Sequence, residues 1–148
     1  MVSAKRIIAF LKRWCLYELA PPAVFAKNDA KYFYEYARLA FGIKESNIKL
    51  LIDEDTTWVK TYKAIDQWLA SKIEKNRTEL IIFYAGHGLA TPDGKDLYFL
   101  LRDSDTDLLK RTALSKTAFF ADIEKLKPKS VTIFIDSCYS GSSRDNET

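Results

Sequence analysis

The sequence predicts an α/β protein, a three-layer α/β/α sandwich in which helices cover both faces of a mostly parallel sheet. Short apolar, β-branched runs alternate along the chain with segments of helical periodicity, as parallel sheets with crossover helices require. The composition, 47% hydrophobic and 29% charged over 148 residues, is typical of a globular domain with its own core. No repeat or linker divides the chain, so we treat residues 1–148 as one domain.

The apolar periodicity places the elements in order along the chain. Strands are predicted over residues 7–11, 47–53, 80–84, 97–101 and 131–135. Helices are predicted over residues 29–41, 58–73 and 116–126, with Asn28, Thr57 and Ser115 as N-caps. The last strand is expected to be buried and to stop at Asp136.

Residues 1–20 are the least regular part of the chain. The run 7–11 has the character of a first strand, but a cationic and aromatic segment, 12–17, follows it. An amphipathic helical start is the alternative, and the sequence leaves both open. The apolar run is too short for a secretion signal and is interrupted by Lys12 and Arg13, and no run approaches the length of a membrane span.

Charge and cysteine content restrict the partners and the compartment. The formal net charge is +3 without a dense Lys/Arg block, so neither a nucleic acid nor a membrane is an expected partner. Cys15 and Cys138 are the two cysteines. Without a secretion signal, reduced thiols and a cytoplasmic location are expected.

Two apolar strands are each followed by one residue type used in catalysis. LIIFYAGHG, 80–88, contains His87, the only histidine, and SVTIFIDSCYSG, 130–141, contains Cys138. The carboxyl ends of strands are where open α/β sheets place their chemistry. Most single cysteines are buried small hydrophobes and most such histidines are structural, but the pair is a more specific signal.

The motifs YAGHG, 84–88, and DSCYSG, 136–141, together with Asn-Asp-Ala at 28–30, resemble the caspase-like cysteine peptidases of the metacaspase and orthocaspase branch. The histidine precedes the cysteine by 51 residues, close to the spacing in caspases. The resemblance extends from about Pro21 to Arg144 and implies the caspase-like fold, with residues 1–20 as a divergent segment. It covers only the large-subunit part, so the domain is expected to be truncated after the cysteine strand.

This resemblance implies a His–Cys dyad. An imidazole at His87 takes the proton of the Cys138 thiol, and the thiolate attacks a carbonyl. The backbone N–H groups of Gly88 and Cys138 are implied as the oxyanion hole, where glycine allows the main chain to approach closely. No third catalytic residue can be named.

Substrate preference is implied by two carboxylates. In metacaspase-like relatives, residues that match Asp136 and Asp29 line the S1 pocket and bind Arg or Lys. Asp136 and Cys138 share one face if the strand persists, which would place a carboxylate beside the scissile bond. For Asp29, a favourable charge at a helix N-terminus is the alternative.

The resemblance does not require a cofactor. Calcium-dependent metacaspases use an acidic cluster with an Asp shortly after the catalytic motif, which corresponds to Asp145. The paired acidic residues expected in the preceding loop are absent between Thr112 and Ala118. Asp145 therefore remains a single candidate ligand, and no calcium requirement is expected.

Three functions are compatible with these patterns. The first is a cysteine endopeptidase that cleaves protein or peptide substrates after Arg or Lys. The second is an inactive or half-domain form that acts as an interaction or regulatory module, by self-association or with a C-terminal small-subunit-like half. The third is a flavodoxin-like binding domain, although the chain lacks a glycine-rich phosphate loop.

Overall fold

The computed structural model describes the backbone of residues 5–12, 26–91 and 93–139 and the side chains of residues 29–91 and 93–137. Six strands in this part of the chain form one sheet. They are β1 Lys5–Lys12, β2 Ile48–Leu51, β3 Thr78–Ala90, β4 Leu97–Phe99, β5 Leu114–Ser115 and β6 Ser130–Tyr139.

The helices lie between these strands, as the alternating pattern predicts. They are α1 Ala26–Leu39, α2 Trp58–Lys63, a π-helical turn Ala64–Leu69, α3 Ala70–Lys72, α4 Leu109–Thr112 and α5 Lys116–Lys125. Two predicted N-caps are confirmed, because Thr57 Oγ1 accepts from the Lys60 amide at 3.5 Å and Ser115 Oγ accepts from the Ala118 amide at 3.3 Å. The predicted cap at Asn28 is wrong, since α1 begins two residues earlier.

Strand β3 is the centre of the sheet. The order is β2-β1-β3-β4-β5, and β6 also pairs with β3. The pairs among β1, β2, β3 and β6 are parallel, whereas β4 and β5 are added antiparallel. Gly88 is aligned with both Phe99 and Tyr139, so β4 and β6 lie on opposite sides of β3.

The side chains of β3 alternate between two cores. Leu80, Ile82 and Tyr84 are buried against the π-helical turn and α5. Ile81 and Phe83 pack on the other face, against α1. A period of two along a strand separates these sets. Helices thus cover both faces of the sheet, and the predicted three-layer α/β/α architecture is confirmed.

Two predicted strand ends are wrong. Strand β3 does not end at Tyr84 but continues through His87 to Ala90, and β6 does not stop at Asp136 but continues to Tyr139. Small residues made these segments look like loops, yet pairing with neighbouring strands keeps them extended. The described motif residues, 84–88 and 136–139, therefore lie within the strands.

The prediction that the last strand is buried is also wrong. Val131, Phe134 and Ile135 are 38%, 44% and 37% exposed. Within the described residues, β6 pairs only with β3. Residue type predicts that a strand tends to be buried, but burial depends on which elements lie over it.

The predicted first strand is confirmed as β1, between β2 and β3. The cationic and aromatic segment after it, beyond Lys12, lies outside the described residues. Of the helices in the described part, none combines the length and apolarity needed to cross a bilayer.

Candidate active site

The pairing of β3 with β6 aligns the two motifs. The Cα of His87 is the partner of the Cα of Cys138, and Ala85 is the partner of Asp136. Neighbouring strands lie about 4.7–4.9 Å apart. The backbones at His87 and Cys138 are thus adjacent, at the carboxyl ends of two parallel strands, and the strand persists from Asp136 through Cys138.

The main chain at His87 is fixed by hydrogen bonds from two sides. The Tyr84 hydroxyl lies 2.7 Å from the His87 carbonyl oxygen and 3.2 Å from that of Leu100, so it can donate to either. The Leu100 amide also donates to the His87 oxygen at 2.9 Å. Tyr84 is 2% exposed, with its ring 4.5 Å from that of Phe99 between centroids. A rigid, buried residue therefore positions the backbone that carries His87.

The sequence contains a signal for the role of Tyr84. A tyrosine within a buried apolar strand needs a partner for its hydroxyl. Its position three residues before His87 makes the carbonyl groups of the motif its nearest acceptors.

Gly88 lies in strand β3, beyond the end predicted for that strand at Tyr84. It is buried and aligned with residues of β4 on one side and β6 on the other.

An acidic cavity of about 670 Å³ lies between α1 and the β3–β6 pair. Asp29 and Asp136, which are far apart in sequence, both line it, and Glu35 is a third carboxylate in its wall. Among the described side chains, no lysine or arginine lines this cavity. The structure thus brings together the two aspartates that the sequence proposed as a pair.

The charges of these carboxylates are unequally compensated. Glu35 forms an ion pair with Arg38 at 3.2 Å. In the described part of the chain, neither Asp29 nor Asp136 has a hydrogen-bond or ion-pair partner. Their uncompensated negative charge makes the cavity suitable for a cation.

An aromatic contact explains how Asp29 reaches β6. The Phe33 ring stacks on Phe83 at 4.7 Å between centroids and lies 5.4 Å from Phe134 of β6. Asp29 is four residues before Phe33, hence on the same side of α1. The other aromatic walls of the cavity, Tyr32 and Tyr36, are exposed and offer ring faces, which attract cations.

The sequence also suggests a candidate calcium ligand, which is not one of the residues described above. Between residues 26 and 137, the described side chains contain no group of three or more His, Cys, Asp or Glu residues that could hold a metal ion. Asp145, the single candidate calcium ligand, lies outside the described residues, as does Cys15.

Comparison with known proteins gives matches over most of the chain. The family model of the peptidase C14 caspase domain matches residues 17–148. Metacaspase-6 of Arabidopsis thaliana is 34% identical over 112 residues, covering 68% of this chain and 29% of that protein. Metacaspase-9 of the same plant is 28% identical over 126 residues, covering 81% of this chain and 39% of that protein. The chain therefore spans well under half the length of these relatives.

The Tyr84 hydroxyl should contribute measurably to stability. We expect Tyr84→Phe to lower the free energy of unfolding by about 1 kcal/mol, because the hydrogen bond of the buried hydroxyl to the His87 or Leu100 oxygen is lost. Urea denaturation followed by circular dichroism measures this. Tyr32→Phe removes the same atom from a side chain that is 72% exposed and should change stability little. Equal effects of both variants would contradict the positioning role.

Proposed function

Because the chain belongs to the caspase-domain family of peptidases, we propose that it carries the His–Cys dyad of a cysteine endopeptidase that cleaves after Arg or Lys. One observation supports this most strongly. His87 and Cys138 are aligned on neighbouring parallel strands, and Asp136, two residues before Cys138, lines an acidic cavity.

The proposed reaction uses His87 first as a base and then as an acid. Its imidazole removes the Cys138 proton, and the thiolate sulfur bonds to the scissile carbonyl carbon. Collapse of the tetrahedral intermediate breaks the C–N bond while the imidazolium protonates the leaving amine. Water then attacks the thioester, giving up a proton to His87 and releasing the acid and the thiol.

The backbone N–H groups of Gly88 and Cys138 are the proposed oxyanion donors. Donors aimed at the developing charge stabilise the tetrahedral intermediate. Both residues lie in the paired strands β3 and β6. They can therefore act as oxyanion donors only if their own N–H groups are not hydrogen-bonded to a neighbouring strand when substrate is bound.

The acidic cavity is the proposed S1 pocket. A cationic P1 side chain would donate charge-assisted hydrogen bonds to Asp29 and Asp136, each worth about 1.5–3 kcal/mol. Arg should be preferred to Lys, because its planar fork of donors can engage both oxygens of one carboxylate. An aspartate at P1 would be repelled by the same charges.

The remaining expectations belong to this proposal. The dyad needs no cofactor, and a cytoplasmic location would keep its thiol reduced. Protein or peptide substrates are proposed. The exposed apolar side chains of β6 favour a covering partner, either a small-subunit-like half or a second copy. The same surface supports the alternative of a non-catalytic interaction module.

Loss of either dyad member should abolish turnover. We expect Cys138→Ala and His87→Ala to hydrolyse no fluorogenic Arg peptide while keeping the melting curve of the parent chain. Cys15→Ala is the matched control and should stay active in a form of the protein that turns over this substrate. Retained turnover in purified Cys138→Ala protein would refute the mechanism.

The pocket assignment predicts a change in selectivity. Asp136→Asn should reduce kcat/KM for Arg substrates by about tenfold to a hundredfold, because one charge-assisted contact is lost. Glu35→Gln should cost less, since Arg38 already compensates that carboxylate. A panel of Arg, Lys and Asp substrates measures this, with no cleavage expected after Asp. Efficient cleavage after Asp, or unchanged Arg selectivity in Asp136→Asn, would exclude this pocket.

A further inference from the structure

A second cavity, of about 560 Å³, lies at the outer edge of β2, away from the acidic one. Its walls are strand residues such as Lys49 and Leu51 and helical residues such as Lys63 and Trp68. Leu51 belongs to the core beneath α2 and α5, whereas the acidic cavity borders α1. This cavity is therefore a groove between an edge strand and a helix, and the dyad and the S1 pocket do not include it.

The strand that forms one wall has an open edge. Within the described strands, β2 pairs only with β1. Besides that pairing, the Ile48 amide donates to the Glu45 oxygen, and no further backbone hydrogen bond of Ile48–Leu51 to the described residues is present. The outward N–H and C=O groups of an edge strand are a template for another strand.

The groove carries uncompensated positive charge. Lys60 is paired with Asp55, 2.6 Å from Nζ to the carboxylate oxygen. Lys49 and Lys63 form no ion pair within the described chain, although Lys49 is half-buried. The pKa of the Asp55 carboxyl lies below its ordinary value, chiefly because Lys60 donates a hydrogen bond to it. The positive charges of Lys60 and, less strongly, Lys49 lower this pKa further. Three lysines against one aspartate leave two positive charges in the lining.

An aromatic side chain and an irregular helix complete the groove. Half-buried Trp68 lies on the π-helical turn, where the Ala70 amide donates to the Ile65 oxygen five residues back. Such wider turns are frequent at functional sites. The turn thus adds an apolar surface beside the two unpaired lysines.

We propose that this groove binds an extended acidic peptide segment of a partner protein, which adds as a strand to the open edge of β2. Strand addition supplies main-chain hydrogen bonds, and alternate side chains give specificity. Lys49 and Leu51 share one face of β2. The segment would therefore carry acidic residues opposite Lys49 and Lys63, and between them an apolar residue that contacts Trp68. A small phosphate would use the lysines but not the strand edge.

Fluorescence anisotropy with a fluorescein-labelled peptide of the pattern Glu-Ser-Leu-Ser-Glu tests this site. The peptide contains no Arg or Lys, so the result does not depend on the proposed peptidase activity. We expect binding that weakens about fivefold to tenfold or more in the double variant Lys49→Gln, Lys63→Gln, because two opposite-charge contacts are lost. Lys110→Gln, an exposed lysine outside the groove, is the matched control and should bind like the parent.

Two further probes separate strand addition from charge attraction. The same peptide with N-methylated backbone amides keeps its charges but cannot donate to β2, and should lose most of its binding. The peptide Gln-Ser-Leu-Ser-Gln should bind more weakly than the Glu peptide. Absence of binding by the Glu peptide, equal binding of the N-methylated one, or full displacement by inorganic pyrophosphate at low millimolar concentration would overturn the proposal.

Discussion

Aligned residue pairs join β3 to β6 in parallel, from Glu79 with Ser130 to Gly88 with Tyr139. This pairing determines which parts of the two motifs are neighbours. Because side chains alternate along a strand, a slip by one residue would exchange their faces. Strand β3 is also held against the helices that pack on it. If β3 shifted by one residue relative to these helices, Leu80 and Ile82, each 1% exposed, would leave the core. The core thus fixes the orientation of β3, and β3 positions the site.

The architecture could be predicted from sequence because local patterns encode which face of each strand is apolar. The pairing of Asp29 with Asp136 was instead implied by the resemblance of their motifs to those of metacaspases, and the two residues do line one cavity. Five apolar residues indicated the first strand, β1, but the segment that follows left a helical start as the alternative, and the pairing of β1 with β2 and β3 decides for the strand. The exposure of Phe134 could not be predicted, because it depends on what lies over β6. The groove beside β2 could not be predicted either, since Lys49 and Lys63 meet only after the helix packs on the sheet edge.

The net charge of the chain is small, but two of its cavities carry local charge of opposite sign. Near β6, Asp29 and Asp136 line a cavity in which no described side chain supplies a compensating cation. At the other edge of the sheet, Lys49 and Lys63 leave an excess of positive charge in a groove. The proposed substrate, with a basic P1 residue, and the proposed acidic segment would each match one of these regions, and each field acts over about a Debye length of 8–10 Å.

The alkylation rate of Cys138 tests the central claim, that this strand pairing makes His87 and Cys138 a chemical pair. An iodoacetamide probe needs only a reactive thiol, and Cys15 provides an internal comparison by mass spectrometry of the same chain. The account predicts that Cys138 reacts faster than Cys15 at neutral pH and slows about tenfold or more in His87→Ala, because the imidazole no longer promotes the thiolate. Equal rates at both cysteines, unchanged in His87→Ala, would contradict it.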